Sequence, residues 1–384
     1  MKIILAGGGT GGHFYPIIAV AEALKEVAAE KKFIELDLIF MSDSAYNEKL
    51  LKQESIRFKK ILSGKLRRYF SFYNVIDVFK IAVGVIQAFF GVYKEFPDVI
   101  FGKGGYASFP PLLAARILRI PVLIHESDAV PGQVNKWAGK FAKRVAVSFP
   151  EAAEYFSKDK TALTGVPVRS SILGKVLEEG REIFQLEPGL PVVFVLGGSQ
   201  GAKVINETML ASAKDLIGFC QVIHQCGRNN FKDVSARLSV VLEDAEFKSR
   251  YHLVDFLNSA QLRAASSVAD LVVSRAGAGA IFEIAVWGLP SILIPLENSA
   301  QRHQQKNALS YAGRGAAEII EEPNLTPHIV VFEIKRLLAS PQNLEKMRAA
   351  AGNFARPEAA RKIAEEIINL GLHLNHKPLS VKPL

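Results

Sequence analysis

Cysteine is nearly missing from this chain: 384 residues contain two, Cys220 and Cys226. Two thiols cannot build a disulfide framework, and their spacing is not the C-x-x-C of zinc or redox sites. A reducing cytoplasm, with both thiols buried or half-buried, is the expected setting. A membrane-spanning run is missing too. The longest apolar passage, Ile81–Tyr93, contains Gln87 and two glycines and falls short of the roughly 18–20 residues that a crossing needs. The first apolar run, Ile3–Ala6, is too short for a signal peptide. Several catalytic signatures are also lacking: no H-E-x-x-H, no Ser-His-Asp grammar and no D-x-D triplet for a nucleotide-bound divalent ion. Acidic residues are in deficit. Lys plus Arg total 47 against 38 Asp plus Glu, a net charge of +9. That excess attracts anions (nucleic acid, anionic lipid or a phosphorylated small molecule) without choosing among them.

What is present is globular and repetitive in its grammar. Hydrophobic residues make up 49% and charged residues 22%, and the length suits two domains better than one core. Short, largely apolar runs at Ile3–Ala6, Leu36–Met41, Val99–Phe101 and Val122–Ile124 alternate with helical patterns, the signature of a parallel sheet covered on both faces. The same grammar restarts at Val192–Leu196 and continues through Leu271–Val273 and Ser291–Ile294. The fold class expected is therefore α/β, with two doubly wound, Rossmann-like domains facing a cleft. We place the first domain over 1–165 and the second over 166–371, with the join near Thr164–Arg169 and a tail over 372–384. The last helix, Pro357–Leu370, is amphipathic and suited to pack back on the first domain.

Chemistry-bearing residues gather at the expected strand ends, where ligands bind in open parallel sheets. The run GGGTGGHFYP from Gly7 to Pro16 satisfies G-x-G-x-x-G; its glycines permit close backbone approach and the following helix N-terminus favours an anion. A dinucleotide reading wants an acidic residue just past the next strand, yet Asp37 falls inside that strand. No Lys-Ser/Thr follows the last glycine, which excludes a Walker A loop. GGSQG (Gly197–Gly201) is a second anion-binding candidate, with Ser199 as a donor, and FGKGGYAS (Phe101–Ser108) is a third, through Lys103 or backbone amides. SRAGAGAIFE sets Glu283 on the second turn of a helix, either as a favourable charge near its N-terminus or as an acceptor for a ribose diol. HESD joins His125 and Glu126 at a strand end. His13 either caps and packs in the first turn or gives acid–base help, worth roughly 10²–10⁴-fold.

Taken together, GGGTGGHFYP, FGKGGYASFPPLLAA, HESDAVPGQVNKW, TGVPVR, GGSQGAKVIN, SRAGAGAIFEIAVWGLPSILIPL and QRHQQKNA resemble the MurG family of glycosyltransferases, glycosyltransferase family 28, over about Met1 to Gly371. The resemblance implies the two-domain GT-B fold. It implies an inverting hexosyltransferase that moves N-acetylglucosamine from UDP-N-acetylglucosamine to the 4-hydroxyl of undecaprenyl-pyrophosphoryl-N-acetylmuramyl-pentapeptide in peptidoglycan synthesis. No cofactor and no metal would be needed. His13 is implied as the base, with Glu126 and His125 as alternatives. Donor contacts would come from Thr10, Gly11, Gly12, Asp128, Arg169, Ser199, Leu257, Gln304 and the run Ala278, Gly279, Ala280, Ile281, Phe282 and Glu283. Of these, Arg169 and Ser199 would hold the diphosphate, Leu257 the uracil, Glu283 the ribose and Gln304 the sugar. Gly9, Gly104, Gly105 and Tyr106 would face the acceptor's pyrophosphate. One position departs: the family commonly has asparagine where this chain has Asp128, which removes an amide donor and adds charge near phosphates.

A lipid-linked acceptor also gives a use to Lys65–Lys94, where basic residues interleave with Tyr, Phe, Val and Ile. Peripheral contact with an anionic surface, at the cytoplasmic face of a bacterial plasma membrane, is expected, and nucleic acid is not. A UDP-sugar 2-epimerase of the same fold is the alternative activity.

Overall fold

A computed structural model describes residues 1–8, 10–33, 35–64, 73–197 and 202–373, with the backbone alone for 73–76. Gly9, Ser199, the basic residues Lys65, Arg67 and Arg68, and the tail from residue 374 lie outside the described residues. The chain divides into two compact units: Met1–Arg169 joined by the segment that begins at Pro357, and Ser170–Arg356.

The first unit is built on seven parallel strands, β1 (Lys2–Ala6), β2 (Asp37–Ser42), β3 (Arg57–Lys60), β4 (Val99–Gly102), β5 (Val122–Glu126), β6 (Arg144–Val147) and β7 (Thr161–Leu163). Their order is β3-β2-β1-β4-β5-β6-β7. The second unit holds six, β8 (Val192–Leu196), β9 (Gln221–Gln225), β10 (Tyr251–Val254), β11 (Leu271–Arg275), β12 (Ser291–Ile294) and β13 (Ala317–Ile319), ordered β10-β9-β8-β11-β12-β13. The order reverses between β1 and β4 in one sheet and between β8 and β11 in the other. These are the switch points at which ligands bind beyond the carboxyl ends of the strands.

Two-fold side-chain alternation explains why the strands are apolar throughout. Ile3 and Leu5 point into a layer shared with Phe14, Ile17 and Leu24 of the Gly11–Glu30 helix. Ile4 and Ala6 point into the opposite layer, with Ala88, Val92 and Leu112. The final helix, Ala359–Gly371, contributes Ile363, Ala364, Ile367 and Ile368 to the first of these layers. Its Arg361 donates to both carboxylate oxygens of Glu30, at 2.8 and 2.6 Å. Burial of that apolar face is why the chain from Pro357 belongs with the first unit, so the second unit is shorter than the 166–371 read from the sequence. One layer of its core runs through Val193, Val195, Ile205, Val222, Val273 and Ile292, and Phe194, Ile223, Val272 and Leu293 are buried on the other face of the sheet.

Both cysteines are free and buried; burial pushes the Cys220 thiol up to about 12 and that of Cys226 to about 11. No helix among the described residues is long and apolar enough to cross a membrane.

Candidate active site

At the first switch point the β1 and β4 loops press together. Ala6 pairs with Gly102 across the sheet, and beyond it the Lys103 amide donates to the Ala6 carbonyl at 2.8 Å. Gly8 has to be glycine here, because a Cβ would stand 2.1 Å from the Ser42 Oγ. Thr10 is the extended residue that opens the Gly11–Glu30 helix. Its hydroxyl does not cap a backbone amide but hydrogen-bonds His13 Nδ1 at 2.9 Å. The tautomer with its proton on Nδ1 donates to Thr10 and keeps the lone pair on Nε2. That atom faces the second glycine loop: a Cβ on Gly105 would lie 3.4 Å from His13 Nε2. Thr10, Gly12, His13, Gly104 and Gly105 therefore cluster around one helix N-terminus, a place that favours an anion.

The β5 loop is held from inside. His125 is fully buried, and its Nε2 lies 2.9 Å from the Gly165 carbonyl and 3.2 Å from Ser148 Oγ. Burial, followed by the positive field of Lys103, pushes its pKa well below the ordinary histidine value, so it is neutral. Glu126 is equally enclosed. Its Oε1 accepts from the Asp128 amide at 3.0 Å, and its Oε2 accepts from the Gly132 amide at 3.0 Å and Asn135 Nδ2 at 2.9 Å. Burial and then the Asp128 charge raise its pKa. Both side chains are occupied in shaping the loop that presents Asp128. Lys103 is 1% exposed and turns into the same loop, donating to Ser127 Oγ. Its ammonium is thus directed at the HESD loop.

Two features were not visible in the sequence reading. Tyr106, expected at the acceptor's phosphates, donates its hydroxyl to Asp43 Oδ2 at 2.8 Å. Burial and that carboxylate push its pKa up to about 12. Asp43 also accepts from Ser42 Oγ at 3.2 Å, so it ties the β2 end to the β4 loop beside Gly8. The only sequence signal for it was its place just past a strand. Arg169 ends the first unit with its guanidinium 4.3 Å from the ring centroid of Tyr15, a cation–π contact with the helix that carries His13.

In the second unit the β11 loop leads into the Ala278–Trp287 helix, whose extended N-cap, Gly277, provides no side-chain cap. The first amides of a helix have no partner within it, and around both Gly277 and Gly279 a Cβ would meet open space. An anion or a polar ligand can approach this end by backbone contact. Ile281 and Phe282 are buried in the core, with Phe282 against the Phe354 ring at 5.0 Å. Of the run expected to wrap uridine, Ala278 is also buried, and Gly279, Ala280 and Glu283 are the part that is partly exposed. The loop is braced by Asn307, whose amide donates to the Ala276 carbonyl at 3.4 Å. A second brace is Arg275, which donates to Glu322 Oε1 at 2.8 Å while Glu322 Oε2 accepts from the Glu297 amide at 3.0 Å.

Gln304, expected at the sugar, accepts from the Leu296 amide through its Oε1 at 3.0 Å. Leu257 is buried, with its amide 3.2 Å from Gln225 Oε1. Next to it, Arg228 stacks over Phe256 at 4.4 Å. Beneath these loops His224 bridges Tyr251 (2.9 Å) and Asn206 (3.0 Å), and burial drives its pKa down to about 3.

Comparison with known proteins gives these sites a context. Residues 3–147 match the model of the glycosyltransferase family 28 N-terminal domain, and residues 192–367 that of the family's C-terminal domain. A UDP-N-acetylglucosamine–N-acetylmuramyl-(pentapeptide) pyrophosphoryl-undecaprenol N-acetylglucosamine transferase of Clostridium kluyveri is 35% identical over 353 residues, covering 91% of this chain and 95% of that one. The crystal structure of Acinetobacter baumannii MurG superposes with a TM-score of 0.73 at 28% identity, over 96% of this chain and 99% of the other. A putative UDP-N-acetylglucosamine 2-epimerase from Listeria monocytogenes gives the same TM-score, 0.73, at 14% identity, over 100% and 99% of the two chains; that likeness is one of fold alone.

Proposed function

The chain belongs to glycosyltransferase family 28, and from that premise we propose that it moves N-acetylglucosamine from UDP-N-acetylglucosamine to the 4-hydroxyl of undecaprenyl-pyrophosphoryl-N-acetylmuramyl-pentapeptide. This is the lipid I to lipid II step of peptidoglycan synthesis. The observation that carries the reading is the 35% identity to a transferase of that name across 91% of the chain. The epimerase alternative has the fold in its favour, at 14% identity, and nothing more.

In one displacement the acceptor's 4-oxygen forms a bond to C1 of the donor sugar while the bond from C1 to the UDP oxygen breaks. UDP leaves with the electron pair and the anomeric centre inverts. The hydroxyl proton goes to His13 Nε2, the proposed base. His125 and Glu126 are engaged within the loop, which supports His13 over both. With the Nδ1 proton donated to the Thr10 hydroxyl, the imidazole has the tautomer the step requires. The departing diphosphate is stabilised by Arg169, Ser199 and amides at a helix N-terminus, groups that complement charge as it develops. Glu283 accepts from the ribose, Ala278–Ala280 and Leu257 hold the rest of the uridine, and Gln304 donates to the sugar. Thr10, Gly11, Gly12 and Asp128 are further donor contacts. Gly9, Gly104 and Gly105 hold the acceptor's pyrophosphate by backbone, with Tyr106 fixed beside them.

The acceptor's lipid is met by the Tyr73–Glu95 helix, working at the cytoplasmic face of the plasma membrane. Phe79, Val83, Ile86, Phe90 and Tyr93 follow each other at intervals of four and three on one helix face, and all five are exposed, Phe79 at 69% and Phe90 at 63%. Lys80 follows Phe79 and Lys94 follows Tyr93 in the chain. An apolar stripe of this kind enters the interface without crossing it.

The test mixes purified protein with UDP-N-acetylglucosamine in EDTA, with and without the lipid-linked muramyl-pentapeptide. Disaccharide-lipid formed together with UDP is the expected result. UDP release that ignores the acceptor, or conversion of the nucleotide sugar alone, overturns the reading.

A further inference from the structure

Lys103 is a cation that the transfer step does not use. It stands at the end of β4 with 1% of its surface exposed, and Gly7 makes room for its stem, since a Cβ there would lie 3.1 Å from Lys103 Cβ. A buried ammonium without counter-charge is strongly disfavoured. Burial accordingly lowers the Lys103 pKa to about 8, and the charges of Glu126 and Asp128 oppose that fall. The ammonium donates to Ser127, between those two carboxylates. Facing the same cluster are the neutral His125, which feels Lys103 and His13, and the amide of Asn135, which donates to Glu126. Lys103 thus interacts with both carboxylates, and Asp128 is the position at which this chain has an acid where the resembling family commonly has an amide.

We propose that Lys103 is a positioning residue matched to Asp128: its buried ammonium is the counter-charge that allows an aspartate at this position and holds the His125–Gly132 loop in the shape that presents Asp128 to the donor sugar. The inference rests on the transferase reading for what Asp128 touches, but the pairing stands on the charges alone. If Lys103 is neutralised, Glu126 faces Asp128 without the Lys103 charge that lowers its pKa and takes up a proton more readily. A protonated Glu126 no longer accepts equally from the Asp128 amide, the Gly132 amide and Asn135, and the loop loosens. Removing the charge at 128 relieves the same conflict, so the two substitutions compensate.

The experiment compares Lys103→Met, Asp128→Asn, the double variant and Lys103→Arg in the acceptor-dependent transfer assay across pH, with thermal unfolding alongside. Lys103→Met is expected to raise KM for UDP-N-acetylglucosamine at least about tenfold, the equivalent of one pKa unit of lost interaction. It should also move the acidic limb of the pH profile to higher pH. Adding Asp128→Asn should bring KM back to within about threefold of the Asp128→Asn variant, the non-additivity of groups in contact. Lys103→Arg keeps the charge and should carry activity further above pH 8 than the lysine does. In unfolding, the double variant should melt higher than the two single shifts add up to. That comparison needs no turnover, so it decides the pairing even if the wild type fails to transfer sugar, a result that would count against the transferase reading alone. If Lys103→Met does not fold, the double variant, which removes both charges, should. Additive effects on KM and on the melting midpoint, an unmoved acidic limb, or a double variant that fails to fold would each overturn the proposal.

Discussion

Substitution of Gly105 by alanine tests the cradle around His13 most directly. Gly105 adopts φ 79° and ψ 164°, a region that is essentially glycine's alone, and placing an L residue there costs about 1–3 kcal/mol. The added Cβ would also meet the Gly8 carbonyl at 3.2 Å and the His13 ring at 3.4 Å, contacts that require both neighbours to yield. Overpacking of this kind adds about 1 kcal/mol, for a total loss of about 2–4 kcal/mol from the first unit. The molecule supplies its own reporter, because its two tryptophans are divided between the units, Trp137 in the first and Trp287 in the second. Trp137 packs against Phe109 at 5.0 Å and Phe141 at 4.9 Å. In a Trp287→Phe background its fluorescence reads the unfolding of the first unit during a urea titration. Gly105→Ala should lower the midpoint. Displacement of the imidazole by a fraction of an ångström should lower kcat about 10–100-fold, since misplacement near 1 Å costs about 10²-fold. An unchanged midpoint together with an unchanged kcat would show that the loops do not confine His13 as described.

Other outcomes follow from the same geometry. His13→Ala should reduce kcat by about 10²–10⁴-fold with UDP affinity, read by calorimetry, nearly intact; equal losses in both would assign His13 a structural role. Glu283→Ala should weaken UDP binding by about 1–3 kcal/mol, as expected for a lost hydrogen bond to a charged group; unchanged affinity would remove it from the ribose. Glu95 is held by Arg57 at 3.0 Å and Lys59 at 3.1 Å. The Arg57 hydrogen bond, opposed by burial and aided by Lys59, lowers its pKa from 4.5 to about 2. A carboxylate depressed in the folded state contributes stability that is present above its unfolded value and lost as pH falls through the folded one. Glu95→Gln should therefore cost about 1–3 kcal/mol at neutral pH and flatten the loss of stability between about pH 4.5 and 2, measured by denaturant titration at several pH values. Phe79→Asp with Phe90→Asp should weaken sedimentation with anionic vesicles while leaving the unfolding midpoint within about 0.5 kcal/mol, as for exposed positions generally; undiminished sedimentation would move the lipid contact elsewhere.

Much of the fold was legible because buried parallel strands are apolar on both faces. Ile3–Ala6, Val99–Phe101, Val192–Leu196 and Ser291–Ile294 announce themselves for that reason. The edge strands do not. β3 reads Arg-Phe-Lys-Lys with no fully buried residue, and β7 and β13 are three residues long, too short for any period to register.

The sequence by itself determined that this is a twin α/β protein, that glycine loops follow its first strands, and which ordered motifs tie it to a glycosyltransferase family. Those properties live in local composition and spacing, which a linear chain displays directly. Tertiary structure alone decided the order of the strands about the switch points and the enclosure of His125 and Glu126. It also decided the bond between Tyr106 and Asp43, 63 residues apart, and the fate of the Lys103 ammonium. HESD reads the same whether its side chains point into a site or hold up a loop. Gly165, Asn135 and Lys103 settle which, and they reach His125 and Glu126 only after β4, β5, β6 and β7 have come to lie side by side in the sheet.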